Sequence, residues 1–183
     1  MKQVLIFFWE VIEIAIIAFA SVFIIRTFIV QPFLVRGASM EPSFLNGDYL
    51  LIDEISMRFR DIKRGEAVVF RFPRDPNVFY IKRVIGLPNE TVVIKSNTVT
   101  IKNSEHPEGF VIQEPYVQAG GVTGEEEVTF LIKENEYLAM GDNRSYSYDS
   151  RSWGAVPKDD IIGLVRIRLW PLSDLSLMQA PAY

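Results

Sequence analysis

The N-terminal 30 residues constrain the fold most, because they are largely apolar and need a non-aqueous partner. The longest stretch without a charge, Ile14 to Ile25, would form a helix of about 18 Å, short of a hydrocarbon core of about 30 Å. A membrane span therefore needs Glu13 or Arg26 at an interface, where long side chains can snorkel. The wider apolar segment, Val4 to Val30, is interrupted at Glu10, Glu13, Arg26 and Thr27.

Three interpretations of this segment compete. A cleaved signal peptide would need a basic start and a small-residue site at its end, but Lys2 is the only basic residue before the run, and the triplet Ala18-Phe19-Ala20 falls inside it. A buried core helix would have to hide two glutamates. The sequence favours an uncleaved, single-pass membrane anchor over residues 1–27. Because Lys2 and Arg26 flank the run on opposite sides, the charges specify its orientation only weakly.

Residue types change after the anchor, and segments rich in β-branched and aromatic residues alternate with turn signals. No later segment shows a long apolar period of 3.6, so residues 28–183 are expected to form a mainly β domain with an antiparallel sheet. Residues 103–127, with several glycines and three consecutive glutamates, are expected to form an exposed loop. Strands are predicted at 28–35, 48–53, 67–72, 78–85 (with a turn at 73–77), 91–95, 98–102, 128–132, 137–140 and 161–170.

Composition excludes several classes of chemistry. The chain has no cysteine, which rules out disulfides, zinc–thiolate sites and thiol catalysis. Its single histidine, His106, lies in a polar stretch that predicts a solvated loop, and one histidine cannot make a histidine metal site. A net charge of −4 without a long basic run argues against nucleic-acid binding. No metal and no cofactor are expected.

Two residues suggest a nucleophile and its base. Ser39 follows the apolar segment, and Lys82 lies 43 positions later among apolar neighbours. A serine hydroxyl needs a base, and a lysine with the ordinary pKa of about 10.4 is neutral in roughly one molecule in 2,500 at pH 7. Burial can lower that pKa by about three units, at a cost of roughly 4 kcal/mol. Taken singly, Ser39 fits a turn before a proline and Lys82 fits a strand lysine facing solvent.

The pattern over the whole chain resembles one family. Four segments and the ending are similar, in order, to the bacterial type I signal peptidases, the serine–lysine leader peptidases of peptidase family S26. The resemblance covers about residues 20 to 172, and its third and fourth segments, around Lys82 and from Gly141 to Gly154, are long and highly specific. The matching segments are Ser39-Met40-Glu41-Pro42, Gly47 to Leu51, Arg64 to Phe70 with Tyr80 to Pro88, Gly141 to Gly154 with Val156-Pro157, and Arg168 to Leu172.

The resemblance implies a role for each matching residue. Ser39 would attack the scissile carbonyl and supply its backbone N–H to the oxyanion, and Lys82 would be the general base and then the acid. Ser147 would hydrogen-bond the lysine amine, and Met40 would pack beneath the site. A salt-bridged shell would be formed by Asp142, Arg144, Asp149 and Arg151.

This sequence departs from the family pattern at a few positions. Gly37 stands where some members carry a second hydroxyl for the oxyanion, so backbone or water would have to complete that site. Ser43-Phe44 replaces the more usual threonine-leucine, which is a conservative change. Lysine rather than histidine at position 82 favours the bacterial type, and a single apolar span favours the single-anchor form.

The implied substrates are secretory preproteins, cut after a small-x-small motif such as Ala-x-Ala. The signal peptide would lie extended against strand edges at Phe33, Val35 and Gly37 and at Phe79 and Ile81. A small β subdomain would be inserted at roughly residues 89–134. The resemblance places the β domain on the extracytoplasmic side of a bacterial cell membrane. Lipid contacts are expected from Phe28, Ile29, Val30 and Phe33.

Two alternatives remain open at the level of sequence. One is a different serine–lysine protease on the same scaffold, such as a specialised pilus-processing or conjugation-processing peptidase; the self-cleaving SOS repressors fit less well, because this chain lacks their DNA-binding N-terminus. The other is a membrane-anchored β domain that binds exported chains without cutting them. The presence of both Ser39 and Lys82 favours an enzyme.

Overall fold

The computed structural model describes residues 2–28, 30–118 and 120–181 of the chain. Helix α1, Lys2–Phe28, contains 27 residues and is therefore about 40 Å long. Its part from Lys2 to Val22 is long and apolar enough to cross a membrane, by length and composition, and it is not buried against the rest of the described chain. The helix continues through Glu10, Glu13 and Arg26, the charged residues that interrupt the apolar segment.

The rest of the described chain is mainly β, as predicted, and its strand pairs are antiparallel. A second helix, α2 (Ser150–Trp153), is a single turn. The strands are β1 Val30–Leu34, β2 Tyr49–Asp53, β3 Ala67–Phe72, β4 Asp75–Gly86, β5 Thr91–Lys95, β6 Thr98–Lys102, β7 Phe110–Val111, β8 Val128–Leu131, β9 Glu136–Met140, β10 Val156–Pro157, β11 Ile161–Trp170 and β12 Ser176–Leu177.

Two predicted boundaries are wrong. Phe28 ends α1 instead of opening an extended segment, so the first strand begins at Val30. The turn between β3 and β4 is shorter than the predicted 73–77, because Phe72 already pairs with Asp75. The Asp75 carboxylate accepts the backbone N–H of Asn77 and so stabilises this early start of β4.

The strands form two sheets. The main sheet has the order β1-β2-β11-β3-β4-β9-β10, with β12 added to β11. The smaller sheet has the order β7-β6-β5-β8, and all of its strands lie in the interval between β4 and β9. They therefore fall within the 89–134 interval expected for an insertion, whose bounds as a subdomain stay a prediction. Since β4 carries Lys82, the smaller sheet joins the chain directly after the lysine strand.

One hydrophobic core joins the two sheets. Ile85 on β4 and Leu138 on β9 are fully buried against Val92 and Ile101 of the smaller sheet. A Cβ on Gly86 would lie 2.6 Å from Val92 Cγ2, so the close approach at this point needs a glycine. Burying side chains of this size contributes about 1.5–3 kcal/mol each relative to leaving them exposed. The smaller sheet is thus packed onto the strand that carries the candidate base.

Residues 103–127 are only partly the exposed loop that the sequence predicted. Phe110 and Val111 form β7, and Ile112, Tyr116 and Thr123 are buried. This part folds inward because its apolar side chains complete the core beneath the smaller sheet and its Glu114 meets a buried arginine. The glutamates at 125–127 are exposed, and His106 lies in an exposed turn beside Glu108, as predicted.

A buried ion pair at the junction of the sheets provides a stability test. Arg64 and Glu90 pair at 2.6 Å with little exposure of either side chain. We expect Arg64→Met to lower the free energy of unfolding by about 3 kcal/mol, because it leaves a buried carboxylate without its cation. The double variant Arg64→Met/Glu90→Met should recover part of this loss. The measurement is urea unfolding of the full chain in detergent.

The matched control is Lys95→Ala, which removes an exposed pair with Glu127. Its unfolding transition should coincide with that of the wild type. A transition for Arg64→Met that also coincides with the wild type would contradict the prediction.

Candidate active site

Ser39 lies in a tight turn that follows β1. Gly37 adopts a φ of +91°, a conformation that side chains rarely adopt, and its N–H donates to Asn46 Oδ1 at 3.0 Å. The N–H of Glu41 donates to the carbonyl of Ala38, which closes the turn around Ser39. Met40 is almost fully buried in the core beneath this turn, where the sequence placed it. The turn is therefore held from both sides, with the serine at its surface.

Lys82 lies on β4, opposite Val68 of β3. Its Nζ donates to Ser39 Oγ at 2.7 Å and to the carbonyl of Ile81 at 3.1 Å. The side chain is only 2% exposed, and its amine lies 5.2 Å from the centre of the Tyr80 ring. The two residues that the sequence singled out are thus in direct contact.

Burial lowers the pKa of Lys82 from its usual value of 10.5 to about 8. The carboxylates of Asp149 and Asp142 act in the opposite direction, and the guanidinium of Arg151 adds to the lowering. A pKa of about 8 leaves roughly one amine in ten neutral at pH 7, against about one in 3,000 at the usual value. The site therefore contains a nitrogen base that is available near neutral pH.

The predicted hydrogen bond between Ser147 and the lysine is absent from this structure. Ser147 Oγ is buried without a hydrogen-bond partner among the described residues. It lies beside Gly141, where an added Cβ would be 2.2 Å from Ser147 Oγ and 2.4 Å from the carbonyl oxygen of Ser39. The hydroxyl thus lies next to the backbone of Ser39, while the amine uses Ser39 and Ile81 as its acceptors.

The four shell residues are all ion-paired, two of them with each other and two with residues outside the predicted set. Asp149 pairs with Arg151 at 2.8 Å, accepts the N–H of Gly141 and caps α2. Asp142 instead pairs with Arg83, and Arg144 pairs with Glu114.

Sequence reasoning missed both of these partners. Arg83 directly follows the candidate base, and this position in the lysine segment was the available signal. Glu114 gave no comparable signal, because it lies in the stretch predicted as a loop.

Arg83 joins several segments at the site. Its guanidinium donates to the Asp142 carboxylate, to the carbonyl of Gly65 and to Ser43 Oγ, and it stacks over the Tyr116 ring at 4.1 Å. These partners come from the turn around Ser39, the turn before β3, the loop after β9 and the insertion. One side chain therefore fixes the relative positions of the segments that carry the site.

Asn143 also contacts the serine turn and was not singled out from the sequence. Its backbone N–H donates to the carbonyl of Ser39 at 3.1 Å, and its Nδ2 donates to the carbonyl of Ala38 at 3.1 Å. It lies within the segment from Gly141 to Gly154, so its segment was recognised but its contact was not.

A groove of about 560 Å³ opens above Ser39 and Lys82. The rings of Phe33 and Phe79 meet across it with their centres 6.1 Å apart. Tyr146 and Tyr148, which sequence reasoning missed, form part of its exposed rim. All five residues predicted to bind substrate line this groove: Phe33, Val35, Gly37, Phe79 and Ile81.

Unpaired strand edges border the groove. β1 is the terminal strand of the main sheet, so one of its edges has no partner among the described strands. β9 pairs with β4 only from Arg83 onward, which leaves the segment Phe79–Lys82 with a free edge on that side. These edges present backbone donors and acceptors to an extended chain. No three histidine, aspartate or glutamate side chains converge as a metal site within residues 2–28, 30–118 and 120–181.

Comparisons with known proteins agree on one family. The family model described as "Signal peptidase, peptidase S26" matches residues 8–170. A probable signal peptidase I-2 from Synechocystis sp. is 35% identical over 160 residues, covering 84% of this chain and 69% of the relative. Signal peptidase IB from Staphylococcus aureus is 33% identical over 174 residues, covering 90% of each chain. A solved signal peptidase I from Enterococcus faecalis aligns at a TM-score of 0.48 with 27% identity, covering 57% of this chain and 97% of that one. By the extent of the family match and the identity to these relatives, the chain belongs to the signal peptidases of peptidase family S26, hydrolases that remove signal peptides.

Proposed function

We propose that this signal peptidase cuts preproteins with Ser39 as nucleophile and Lys82 as general base. The observation that carries the proposal is the 2.7 Å contact between the buried Lys82 amine and Ser39 Oγ. A lysine that is nearly excluded from water and has a lowered pKa is the kind of base that a serine requires when no histidine is near. The single histidine, His106, lies in an exposed turn of the insertion.

In the first half of the reaction, the neutral Lys82 amine takes the Ser39 proton as Oγ attacks the scissile carbonyl carbon. The carbonyl oxygen becomes negative, and the backbone N–H of Ser39, which has no acceptor among the described residues, stabilises it. Lys82 then returns the proton to the leaving amine, which departs as the N-terminus of the mature protein. In the second half, Lys82 activates water in the same way and the acyl-enzyme is hydrolysed.

The unpartnered Ser147 hydroxyl supports a role beside the dyad. It is buried next to the carbonyl of Ser39 and has a free donor and acceptor. A buried hydroxyl without a partner is costly, so a partner during the reaction is expected. We assign that partner to the Lys82 amine once the serine has lost its proton, as the family resemblance implies. Asp142, Arg144, Asp149 and Arg151 hold the loop that carries Ser147.

The groove supports binding of the signal peptide as an added strand. An extended chain between β1 and the free edge of β4 would find backbone partners on both sides. Val35 is buried and Ile81 is half-buried, so these walls leave little depth for side chains near Ser39. This shallow apolar lining favours small residues at the positions just before the cut. A small-x-small motif such as Ala-x-Ala is the proposed recognition sequence.

We also propose that α1 anchors the enzyme in the bacterial cell membrane, with the β domain on the extracytoplasmic side. Ser39 follows the end of α1 by one short strand and part of a turn, so the site would lie close to the bilayer surface. Of the four expected lipid contacts, Phe33 packs against Phe79 in the groove. Ile29 and the side chains of Phe28 and Val30 lie outside the described part of the chain.

An exposed apolar ridge supports lipid contact elsewhere. Leu34, Tyr49 and Trp170 are direct neighbours across β1, β2 and β11, and all three are exposed. Leu172 and Leu175 extend the ridge beyond β11. Because β1 continues from α1, the ridge is carried by the sheet edge nearest the anchor in the chain. Apolar surface of this kind is expected to insert at a bilayer interface.

Loss of either member of the dyad should abolish cleavage. We expect Ser39→Ala and Lys82→Ala, compared with the wild type in detergent, to reduce cleavage of a purified preprotein by at least about 10³-fold. Intact mass of the products locates the cut, which should follow a small residue. The control is Lys95→Ala, an exposed lysine in the insertion, which should cleave at the wild-type rate. Cleavage that survives Ser39→Ala would mean that the nucleophile is misassigned.

The rate should depend on pH through Lys82. Because the base acts in its neutral form, kcat/KM should rise tenfold per pH unit below the lysine pKa and level off above about 8. A lysine with its usual pKa would keep the rate rising beyond pH 10. The measurement is kcat/KM of the wild type from pH 6 to 10. A rate that still rises tenfold per unit between pH 9 and 10, or one that falls through pH 8, would contradict the assignment of Lys82 as a base.

Lipid should stimulate cleavage by contacting the exposed apolar ridge. We expect Trp170→Ser/Leu172→Ser to reduce the stimulation of cleavage by lipid vesicles several-fold while the rate in detergent stays near that of the wild type. The matched control is Leu131→Ser, an equally exposed leucine on the smaller sheet. Equal stimulation of the ridge variant and the wild type would show that lipid acts elsewhere.

A further inference from the structure

We propose that Asn143 is a positioning residue that aims the Ser39 N–H at the oxyanion. The inference rests on the proposed function, because it gives Asn143 a role in the reaction of Ser39. Asn143 lies in the loop after β9 and is half-buried, and its contacts with the nucleophile are two hydrogen bonds to backbone carbonyls. Its side chain makes no hydrogen bond to the Lys82 amine or the Ser39 hydroxyl, so we expect any effect on the reaction to act through the serine backbone.

The two hydrogen bonds hold the two carbonyls that flank the Ser39 N–H. Asn143 Nδ2 binds the carbonyl of Ala38, and the Asn143 backbone N–H binds the carbonyl of Ser39, each at 3.1 Å. The carbonyl of Ala38 and the N–H of Ser39 belong to one planar trans peptide unit, so they point in opposite directions. Fixing the Ala38 carbonyl toward Asn143 therefore directs the Ser39 N–H away from it. That N–H has no acceptor in the described chain and is free for substrate.

The loop that carries Asn143 is pressed against the serine and has little freedom to move. A Cβ on Gly141 would lie 2.4 Å from the carbonyl oxygen of Ser39, so only glycine permits this approach. Asp142, between the two residues, is locked by Arg83. Asn143 is thus held in a rigid loop. A donor held in advance costs no reorganisation when negative charge develops on the carbonyl oxygen.

An uncharged amide is well suited to hold the Ala38 carbonyl. A carboxylate at position 143 would face the Ala38 carbonyl without a proton to donate, and it would add a negative charge near the lysine. Because an asparagine amide carries no charge, its removal should leave the pKa of the base unchanged. This separates a defect in positioning from a defect in the dyad, since only the latter would move the pH profile.

The test compares Asn143→Ala and Asn143→Leu with the full-length wild type in detergent. Leucine has a volume close to that of asparagine, and both variants keep the backbone hydrogen bond to Ser39. We expect kcat to fall about 10- to 100-fold, because one oxyanion donor typically contributes about 10²–10³ and is here misaimed rather than removed. KM should change less than threefold, and kcat/KM should level off at the same pH as in the wild type.

A peptide aldehyde matching the acyl side of the cut gives a second readout. Ser39 Oγ adds to its carbonyl carbon and places the oxygen where the oxyanion forms, so its affinity should fall in proportion to kcat/KM. The control is Asn103→Ala, which removes an asparagine side chain that is hydrogen-bonded to backbone in the insertion, there as an acceptor of N–H groups. It should leave kcat and aldehyde affinity unchanged.

Several outcomes would overturn the inference. These are a kcat within threefold of the wild type, or a change in KM without a change in kcat. A shift in the pH at which kcat/KM levels off would also overturn it, as would an unfolding midpoint that drops further than in Asn103→Ala. The last result would assign Asn143 to folding. Failure of the proposed function has a different signature, because the wild type would then not cut, or Ser39→Ala would still cut. In that case the inference fails with it.

Discussion

Burial of the Lys82 amine is the interaction on which the rest of the site depends. An ammonium group in a nearly dry position is unfavourable, and the protein relieves this by favouring the neutral form. The neutral amine can accept a proton, so the cost of burial would supply the base that the proposed reaction needs. That burial is possible because the serine turn covers the amine and because the neighbours Tyr80 and Val84 pack into a core of the main sheet.

The nearby charges are arranged so that they do not cancel this effect. Two carboxylates, Asp142 and Asp149, lie close enough to favour the charged lysine. Each is paired with a guanidinium, that of Arg83 or of Arg151, so each contributes a dipole more than a full negative charge. An unpaired carboxylate at either position would raise the pKa of the lysine and remove the base near neutral pH. The shell therefore has an electrostatic role in addition to holding the loop.

Sequence reasoning reached the parts of the fold that local pattern determines. Alternation and β-branched residues predicted nearly all of the longer strands, and the segments around Ser39 and Lys82 predicted the residues that the structure brings into contact. The failures are of another kind. Glu114 is paired with Arg144, and Ile112, Tyr116 and Thr123 are buried, because of partners far away in the sequence that no local pattern displays. The hydrogen bonds of Asn143 to Ala38 and Ser39 were missed for the same reason: they join positions 105 and 104 residues apart.

The candidate site is built from three segments of the chain and one long side chain. The serine turn, the lysine strand and the loop after β9 are brought together by the main sheet, in which β4 pairs with both β3 and β9. Arg83 bridges all three because a guanidinium presents five donors in a fixed plane, whereas a lysine at that position would bind one carboxylate as a point charge. Lys82 and Arg83 are adjacent on β4 but have different surroundings. The Lys82 amine makes two hydrogen bonds. The Arg83 guanidinium makes more, and these hold the groups around it in place.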